Sequence, residues 1–312
     1  MVRDPQNGFL LRLTQRLAEG LPDLDPERAA RHAAFFWSFQ QKDGGFAGRE
    51  GGSDLYYTSF AVRGLALLRA LEVSRCEVMA GYLKGAAARQ RYSLIDLVSW
   101  FYSAITVQMA GGLAAFEGDE EALANEVASA LETFRRPDGG YAKTHAGGSG
   151  STYHTFLAVL CYEMLGLAPP NTAAVVEFLL NRRRDDGGFV EIGPMRRSGT
   201  NPTAAAAVLL KRFETLDHEV LKGIRAYLEK VKGAEGGFRA NTQIQFCDLL
   251  STFTGLLVAR DLELSEVIDA EACRSYVEQL ELGNGGFRGA IWDSQADPEY
   301  TFYGLGSLAL LG

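Results

Sequence analysis

The side chains most suited to chemistry stand where apolar segments of this sequence begin. Cys247 and Asp248 precede one such segment, and Asp297 and Tyr300 open another. A deprotonated thiol is a strong nucleophile, and a carboxylate or a phenol can exchange a proton with a bound group. We therefore take these four residues as the candidate catalytic set and ask which elements would position them.

A repeated Gly-Gly-aromatic turn sets the framework. Two adjacent glycines break a helix, because glycine has the most backbone freedom to lose and can adopt positive φ. The turn occurs as Gly44-Gly45-Phe46, Gly139-Gly140-Tyr141, Gly187-Gly188-Phe189, Gly236-Gly237-Phe238 and Gly285-Gly286-Phe287. With Tyr92 as a degenerate copy, the aromatic residues follow one another at intervals of 46 to 49 residues. A constant period predicts an array of six similar units.

Each unit is predicted to be a pair of helices. The first helix has a charged face and the second is apolar nearly all round, which is typical of an outer and an inner helix. First helices are expected to begin near Pro26, Arg75, Glu120, Asn171, Asp217 and Glu266, and second helices near Asp54, Ile95, Thr152, Pro202, Phe246 and Pro298. This pattern predicts an all-α fold, an (α/α)6 barrel over residues 25–312 after an N-terminal helical extension at 1–24, with an open solenoid as the alternative.

Parallel inner helices would bring their N-termini to one rim. Helix N-termini carry free N–H groups and partial positive charge, which suits phosphate and other anions. Aromatic residues of the inner helices would line the space below that rim; Tyr57, Trp100 and Phe253 are the ones we assign to a substrate. The alternative is that these side chains simply fill the core.

Composition excludes several classes of protein. The formal net charge of −8 argues against a general nucleic-acid or anionic-membrane surface. No segment reaches the length of a membrane-spanning helix without a charge, and the N-terminus lacks the pattern of a signal peptide. The four cysteines are scattered singly, which is typical of reduced thiols. A cytoplasmic location is therefore expected.

The repeated turns and the closing run from Asp297 to Gly312 resemble the β subunits of protein prenyltransferases, with the closest likeness to the Rab geranylgeranyltransferase type. Squalene cyclases belong to the same superfamily. The resemblance covers about residues 25–312 and implies an isoprenoid diphosphate as ligand and a helical α-subunit-like protein as partner. It also implies a zinc ion that activates the acceptor thiol.

The zinc ligands of that family are only partly present. The family has Asp-x-Cys at the fifth inner helix and a histidine at the sixth; here these positions hold Gln245, Cys247 and Tyr300. Asp248 could replace the lost aspartate by a shift of one residue. Two ligands would still fall short of the three that catalytic zinc usually takes from a protein. Cys247 is thus a partial metal site, and no cofactor is firmly predicted.

The family's diphosphate residues are also replaced. The corresponding helix starts carry Tyr153 and His154, and Arg239 follows a glycine turn. Arg196 and Arg197 form a neighbouring pair that could clamp a phosphate. Against this assignment, loop arginines are usually solvated surface charges, and His154 could be a core histidine.

Three functions compete. The first is transfer of a prenyl group, with Cys247 and Asp248 orienting or deprotonating the acceptor while the arginines hold the diphosphate. The second is a non-catalytic barrel that binds an isoprenoid, another lipid or a protein. The third is a terpene cyclase, which is disfavoured because the sequence has no Asp-x-Asp-Asp acid and because such cyclases are expected to have two barrels.

Overall fold

The computed structural model describes residues 8–21, 24–87, 93–111 and 119–312, and these residues form thirteen α-helices. The helices are α1 Phe9–Glu19, α2 Pro26–Ser38, α3 Leu55–Leu67, α4 Val73–Ala87, α5 Leu94–Gly111, α6 Glu120–Glu132, α7 Thr152–Met164, α8 Thr172–Leu180, α9 Thr200–Arg212, α10 His218–Val231, α11 Leu249–Asp261, α12 Ala270–Gln279 and α13 Pro298–Leu311. Strand-like pairing among the described residues is limited to isolated bridges at the glycine turns.

The predicted alternation of helix types is confirmed. Most side chains of α3, α9 and α11 are buried, whereas α10 buries one face and exposes the other. The largest shift in a boundary is at α12, which begins at Ala270 rather than near Glu266, because a short 3-10 turn over Ser265–Val267 precedes it. Tyr92, the degenerate turn residue, lies outside the described residues.

Side-chain caps fix where the inner helices begin. The Asp54 carboxylate accepts from the Tyr57 N–H, and the Ser151 hydroxyl accepts from the His154 N–H. Asp248 and Asp297 cap α11 and α13 in the same way. Such caps satisfy N–H groups that a helix start otherwise leaves without a partner. The acidic residues that the sequence places at the helix starts therefore have a structural role before any catalytic one.

The Gly-Gly-aromatic turns share one hydrogen-bonding pattern. The first glycine has positive φ, for example 100° at Gly236, and each turn aromatic is at most 2% exposed. The N–H of that aromatic donates to a threonine Oγ1 in the first turn of the next inner helix; the pairs are Phe46 with Thr58, Tyr141 with Thr155, Phe189 with Thr203, Phe238 with Thr252 and Phe287 with Thr301. The threonine hydroxyl therefore links each turn to its inner helix.

Replacing one of these threonines by valine is expected to destabilise the fold. In Thr252→Val the buried Phe238 N–H would lose its acceptor, which lies 3.0 Å away. An unsatisfied buried donor costs about 1–3 kcal/mol. Thr252→Ser keeps the hydroxyl and is the matched control. Chemical denaturation of both variants measures the difference; equal free energies of unfolding would contradict the role given to the hydroxyl.

The chain divides into two compact units. The first comprises residues 1–12, 128–279 and Leu311, and in it α9 packs between α7 and α11. The second comprises residues 13–127, 280–310 and Gly312, and in it α3 packs against α2 and α5 while α4 packs against α5. The boundary predicted near residue 25 stays a prediction. No helix among the described residues has the length and apolar character needed to cross a membrane.

Candidate functional site

A partly buried carboxyl group, that of Glu299, lies where α3 and α13 begin, within the second unit. The Tyr56 hydroxyl donates to Glu299 Oε1 at 2.6 Å, and Tyr303 also hydrogen-bonds to this side chain. Burial raises the pKa of Glu299 to about 7, aided by the nearby charge of Asp297 and opposed by the tyrosine hydrogen bonds. A group with this pKa exchanges its proton readily at neutral pH, as a general acid or base must.

An ion-pair network holds the loop in front of this carboxyl group. The Arg49 guanidinium donates to Asp297 Oδ2 at 2.8 Å and to both oxygens of Asp293, at 3.1 and 2.6 Å. Asp297 is 2% exposed and also caps α13 by accepting from the Tyr300 N–H. Burial raises the pKa of Asp297, and Arg49 opposes that rise. Asp297 is therefore held in place by two structural contacts.

Three of the predicted site residues come together here. Asp297 and Tyr300 share the first turn of α13, and the Tyr300 ring lies 5.6 Å from the Arg49 guanidinium. The pKa of Tyr57 is raised by burial and by the charges of Asp297 and Glu299, which places its phenol beside them. Trp100 is buried in α5, where its Nε1 donates to the Leu83 carbonyl, so its polar atom serves the fold.

Aromatic side chains continue from Glu299 along the two helices. We call Tyr56, Phe60, Phe302 and Tyr303 the aromatic stripe. The Phe60 ring lies 4.9 Å from Tyr56, 5.7 Å from Phe302 and 5.3 Å from Tyr303, measured between ring centroids. Tilted and edge-on pairs at these distances are the favoured arrangement of aromatic rings. The stripe is therefore a row of mostly buried aromatic rings that ends at the Glu299 carboxyl group.

In the first unit, the predicted catalytic residues at the start of α11, Cys247 and Asp248, are buried or hydrogen-bonded within the protein. Cys247 is fully buried, and burial together with Glu235 raises its thiol pKa to about 12. Asp248 accepts from both the N–H and the hydroxyl of Ser251. Burial raises the pKa of Asp248, and these hydrogen bonds oppose the rise. The thiol is thus protonated at neutral pH, the form that neither attacks nor binds metal well.

The positions that correspond to the family's zinc ligands carry side chains that suit zinc poorly. Gln245 is exposed and offers an amide beside Cys247, and Tyr300 offers a phenol where the family has a histidine. Catalytic zinc prefers thiolate, imidazole and carboxylate ligands. Within the part of the chain that the structure describes, no group of three histidine, cysteine, aspartate or glutamate side chains is arranged to hold a metal ion.

The start of α7 places His154 in a polar cluster. Its Nδ1 lies 2.6 Å from the Ser151 hydroxyl, which also bonds the Glu191 carboxylate. Burial, followed by the charge of Lys143, lowers the pKa of His154 to about 4, so the imidazole is neutral at pH 7. Tyr153, Glu191 and Arg197 border a cavity of about 540 Å³ beside this cluster. The cavity combines one cation with apolar walls.

The three arginines predicted to bind phosphate have different surroundings in the structure. Arg196 and Arg197 are exposed loop residues, and only Arg197 borders the cavity beside α7. The Arg239 guanidinium donates to the backbone carbonyls of Lys230 and Ile244 and so supports its own loop. Phe253, assigned to the substrate from the sequence, is buried in α11. A phosphate-binding role for these arginines stays a prediction.

Sequence reasoning missed Glu299, Tyr56 and Arg49. A usable signal was present, because Glu299 is the single charged residue of α13. A lone charge in an otherwise apolar helix has to be paired, neutralised or functional. Arg49 follows the first glycine turn, and nothing local indicates that it would reach Asp297.

The raised pKa of Glu299 predicts how stability depends on pH. Its pKa is about 7 in the fold against an ordinary value of 4.5, so the folded chain holds the proton more tightly. This stabilisation is complete below about pH 4.5 and is lost as pH rises through about 7. Relative to Glu299→Gln, wild type should lose on the order of 3 kcal/mol between pH 4 and pH 8. Denaturation of both proteins across this range measures it; parallel curves would contradict it.

The family model described as "Prenyltransferase alpha-alpha toroid domain" matches residues 9–206 and 192–312. The chain belongs to this family. Its membership confirms the predicted prenyltransferase and cyclase superfamily and the all-α toroid fold class. No curated protein sequence matches the chain.

Several solved structures match nearly the whole chain in fold. Protein geranylgeranyltransferase-I of Candida albicans, complexed with GGPP, is 13% identical with a TM-score of 0.71, covering 90% of each chain. A variant of the type II terpene cyclase MstE from Scytonema, in complex with geranylgeranyl dihydroxybenzoate, is 13% identical with a TM-score of 0.62, covering 96% of this chain and 98% of that one. A protein from Actinoplanes is 13% identical with a TM-score of 0.58, covering 92% of this chain and 98% of that one.

These likenesses support the fold and correct one expectation. At this level of identity they show the fold alone. The Scytonema cyclase is covered over 98% of its chain by a protein of 312 residues. The expectation that a terpene cyclase of this superfamily needs two barrels is therefore wrong for that enzyme, and chain length alone does not exclude a cyclase.

Proposed function

We propose that this chain binds an isoprenoid diphosphate along the aromatic stripe and transfers the prenyl group to an acceptor at the N-terminal ends of α3 and α13. The observation that carries the proposal is the Tyr56–Glu299 pair at the end of the stripe. It joins a proton-exchanging group to an apolar aromatic surface. Two structural neighbours add support, because their names specify a geranylgeranyl ligand or substrate on the same toroid fold.

The aromatic stripe could stabilise the positive charge that develops during such a transfer. An allylic carbon becomes positively charged as its bond to the diphosphate oxygen breaks. Aromatic faces attract a cation through the ring quadrupole. Phe60 and Phe302 are buried and lie one helical turn away from the carboxyl group. They would face the carbon at which charge develops, while the apolar chain packs on the remaining rings.

Glu299 would take up the proton in this reaction. The carbon–oxygen bond to the diphosphate breaks, and its electron pair leaves with the diphosphate. A new bond forms from the acceptor to the allylic carbon, and the acceptor's proton passes to Glu299. A base with a pKa of about 7 is well matched to neutral pH. Tyr56 and Tyr303 would orient the carboxylate through their hydrogen bonds.

The proposed reaction does not use the zinc-bound thiolate of the related protein prenyltransferases. Cys247 is a buried, protonated thiol, and Gln245 and Tyr300 are poor zinc ligands. Metal analysis of the purified chain is expected to find far less than one zinc ion per molecule. Stoichiometric zinc that is lost in Cys247→Ala would contradict this and restore a zinc-dependent transfer.

A non-catalytic binding protein is the second candidate. It is favoured because three predicted catalytic residues make contacts that stabilise the fold. These residues are Cys247, whose N–H donates to Glu235, Asp248, which accepts from Ser251, and Asp297, which accepts from Arg49. In that case the toroid would hold an isoprenoid or another lipid without changing it. A helical α-subunit-like partner stays a prediction for either candidate, and co-purification from the native host tests it.

Binding and turnover of geranylgeranyl diphosphate separate the two candidates. Titration calorimetry with geranylgeranyl diphosphate and geranylgeraniol measures binding, with Phe302→Ala as the variant that shortens the aromatic stripe. Weaker binding of both ligands to Phe302→Ala is expected. Release of diphosphate in the presence of small phenol, thiol and alcohol acceptors would identify an enzyme. Binding without release would favour the non-catalytic protein. No binding of either ligand would overturn the transferase and would remove isoprenoids as the ligand of the non-catalytic protein.

A further inference from the structure

A single arginine lies within the inner helices of the second unit. Arg63 is the only charged residue of α3, and it follows Tyr56 and Phe60 at helical spacing on the same face. Its guanidinium carbon lies 4.1 Å from the Phe302 ring centroid, 5.0 Å from Phe60 and 5.4 Å from Tyr102. Arg63 therefore stands at the opposite end of the aromatic stripe from Glu299.

Among the described residues, Arg63 contacts aromatic rings rather than hydrogen-bond acceptors. These contacts are with the rings of Phe60, Tyr102 and Phe302, and none is with a carboxylate or a carbonyl oxygen. A guanidinium has five N–H donors in one plane. A ring held by a cation–π contact attracts the charge of the guanidinium and accepts no hydrogen bond in the plane of its donors. The Arg63 side chain is partly accessible.

We propose that Arg63 binds the phosphate or carboxylate head of an isoprenoid ligand, at a position among the inner helices α3, α5 and α13. The proposal rests on the function proposed above and specifies the ligand as an anion. Planar bidentate pairing with phosphate or carboxylate is the contact for which a guanidinium is best suited. The contacts with Phe60, Tyr102 and Phe302 would hold the guanidinium in position before the ligand binds.

The order of groups along α3 supports this placement. Arg63 is seven residues beyond Tyr56, which is about 10 Å along the helix axis. Between them lie the buried rings of Phe60 and Phe302. Arg63, the Phe60 and Phe302 rings, and Glu299 thus follow one another in this order. In an allylic displacement, Arg63 would bind the leaving anion and the rings would face the carbon that becomes positively charged. Glu299 would take the proton from the acceptor.

Comparison of charged and uncharged ligands tests the role of Arg63. Geranylgeranyl diphosphate, geranylgeranoic acid and geranylgeraniol are titrated into wild type, Arg63→Gln and Arg63→Lys by calorimetry. Arg31→Gln, an exposed change of the same charge on α2, is the control. In Arg63→Gln, affinity for the diphosphate should fall about 10- to 100-fold, while affinity for the alcohol should change little. Arg63→Lys should fall between, because it keeps the charge and loses the planar fork.

The outcomes separate this inference from the function on which it rests. Equal losses for alcohol and diphosphate, or no loss, would overturn the anion site and leave isoprenoid binding intact. No binding of any ligand to wild type would overturn the proposed function itself. Arg63-dependent binding of the acid as tight as that of the diphosphate would support the site and assign it to a carboxylate. If Arg63→Gln fails to fold, the head-group-specific loss in Arg63→Lys decides the question.

Discussion

Glu299→Gln is expected to lower the rate of prenyl transfer about 10²- to 10⁴-fold, which is the usual contribution of a positioned proton acceptor. Glutamine preserves the size of the side chain and can still accept the Tyr56 hydrogen bond, so the aromatic stripe should stay intact. In wild type, kcat should rise with pH through about 7, as the Glu299 carboxyl group loses its proton. That limb of the profile should vanish in the variant.

Two further variants make the Glu299 experiment decisive. Glu50→Gln changes an exposed carboxylate of the same unit and should leave turnover unchanged. Tyr56→Phe removes a hydrogen bond that lowers the pKa of Glu299, so the rising limb should move to higher pH. Turnover that keeps its rate and pH profile in Glu299→Gln would show that another group accepts the proton.

Arg212→Met is expected to cost about 3–5 kcal/mol of the free energy of unfolding. Glu163 accepts from Arg212 Nε at 2.7 Å and from the Phe9 N–H of α1 at 3.0 Å. The Arg212 and Glu163 side chains are each only 12% exposed. Removing the arginine would leave a largely buried carboxylate without its counter-charge. Urea denaturation followed by circular dichroism measures the loss.

The double variant Arg212→Met with Glu163→Leu provides the control for this pair. It removes both charges, and apolar replacement of a buried ion pair often restores stability. Most of the loss should therefore be recovered. Lys211→Met, a neighbouring exposed cation, should change stability by less than about 1 kcal/mol. A small effect of Arg212→Met would mean that Glu163 is better solvated than its burial indicates.

Much of the fold could be predicted because its signals are local. The glycine turns recur at a nearly constant period, and their first glycine adopts the positive φ that the sequence implies. Acidic caps such as Asp54 and Asp248 lie next to the helices that they start. The error at α12 arose where a short 3-10 turn separates the charged residues from the helix proper. Such boundaries depend on packing more than on the residues themselves.

The candidate site could be predicted only in part. The sequence selects Tyr57, Asp297 and Tyr300 because each stands in or beside the first turn of an inner helix, and their part in the chemistry stays a prediction. That Asp297 both caps α13 and pairs with Arg49 could not be predicted from its position. Arg239, which follows the Gly236-Gly237-Phe238 turn, is predicted from its position to bind phosphate, and this role stays a prediction. The contacts of its guanidinium with backbone carbonyls could not be predicted from the sequence.

The sequence by itself determined the helix pairs, the turns and the family, because these depend on residue type and spacing along the chain. The tertiary structure decided which polar groups share an environment. Tyr56 and Glu299 are 243 residues apart in sequence and 2.6 Å apart in the fold. The burial that raises the pKa of Glu299 exists only after the surrounding helices have packed. Arg63 likewise gains its aromatic surroundings from α5 and α13, so its proposed role could not be read from α3 alone.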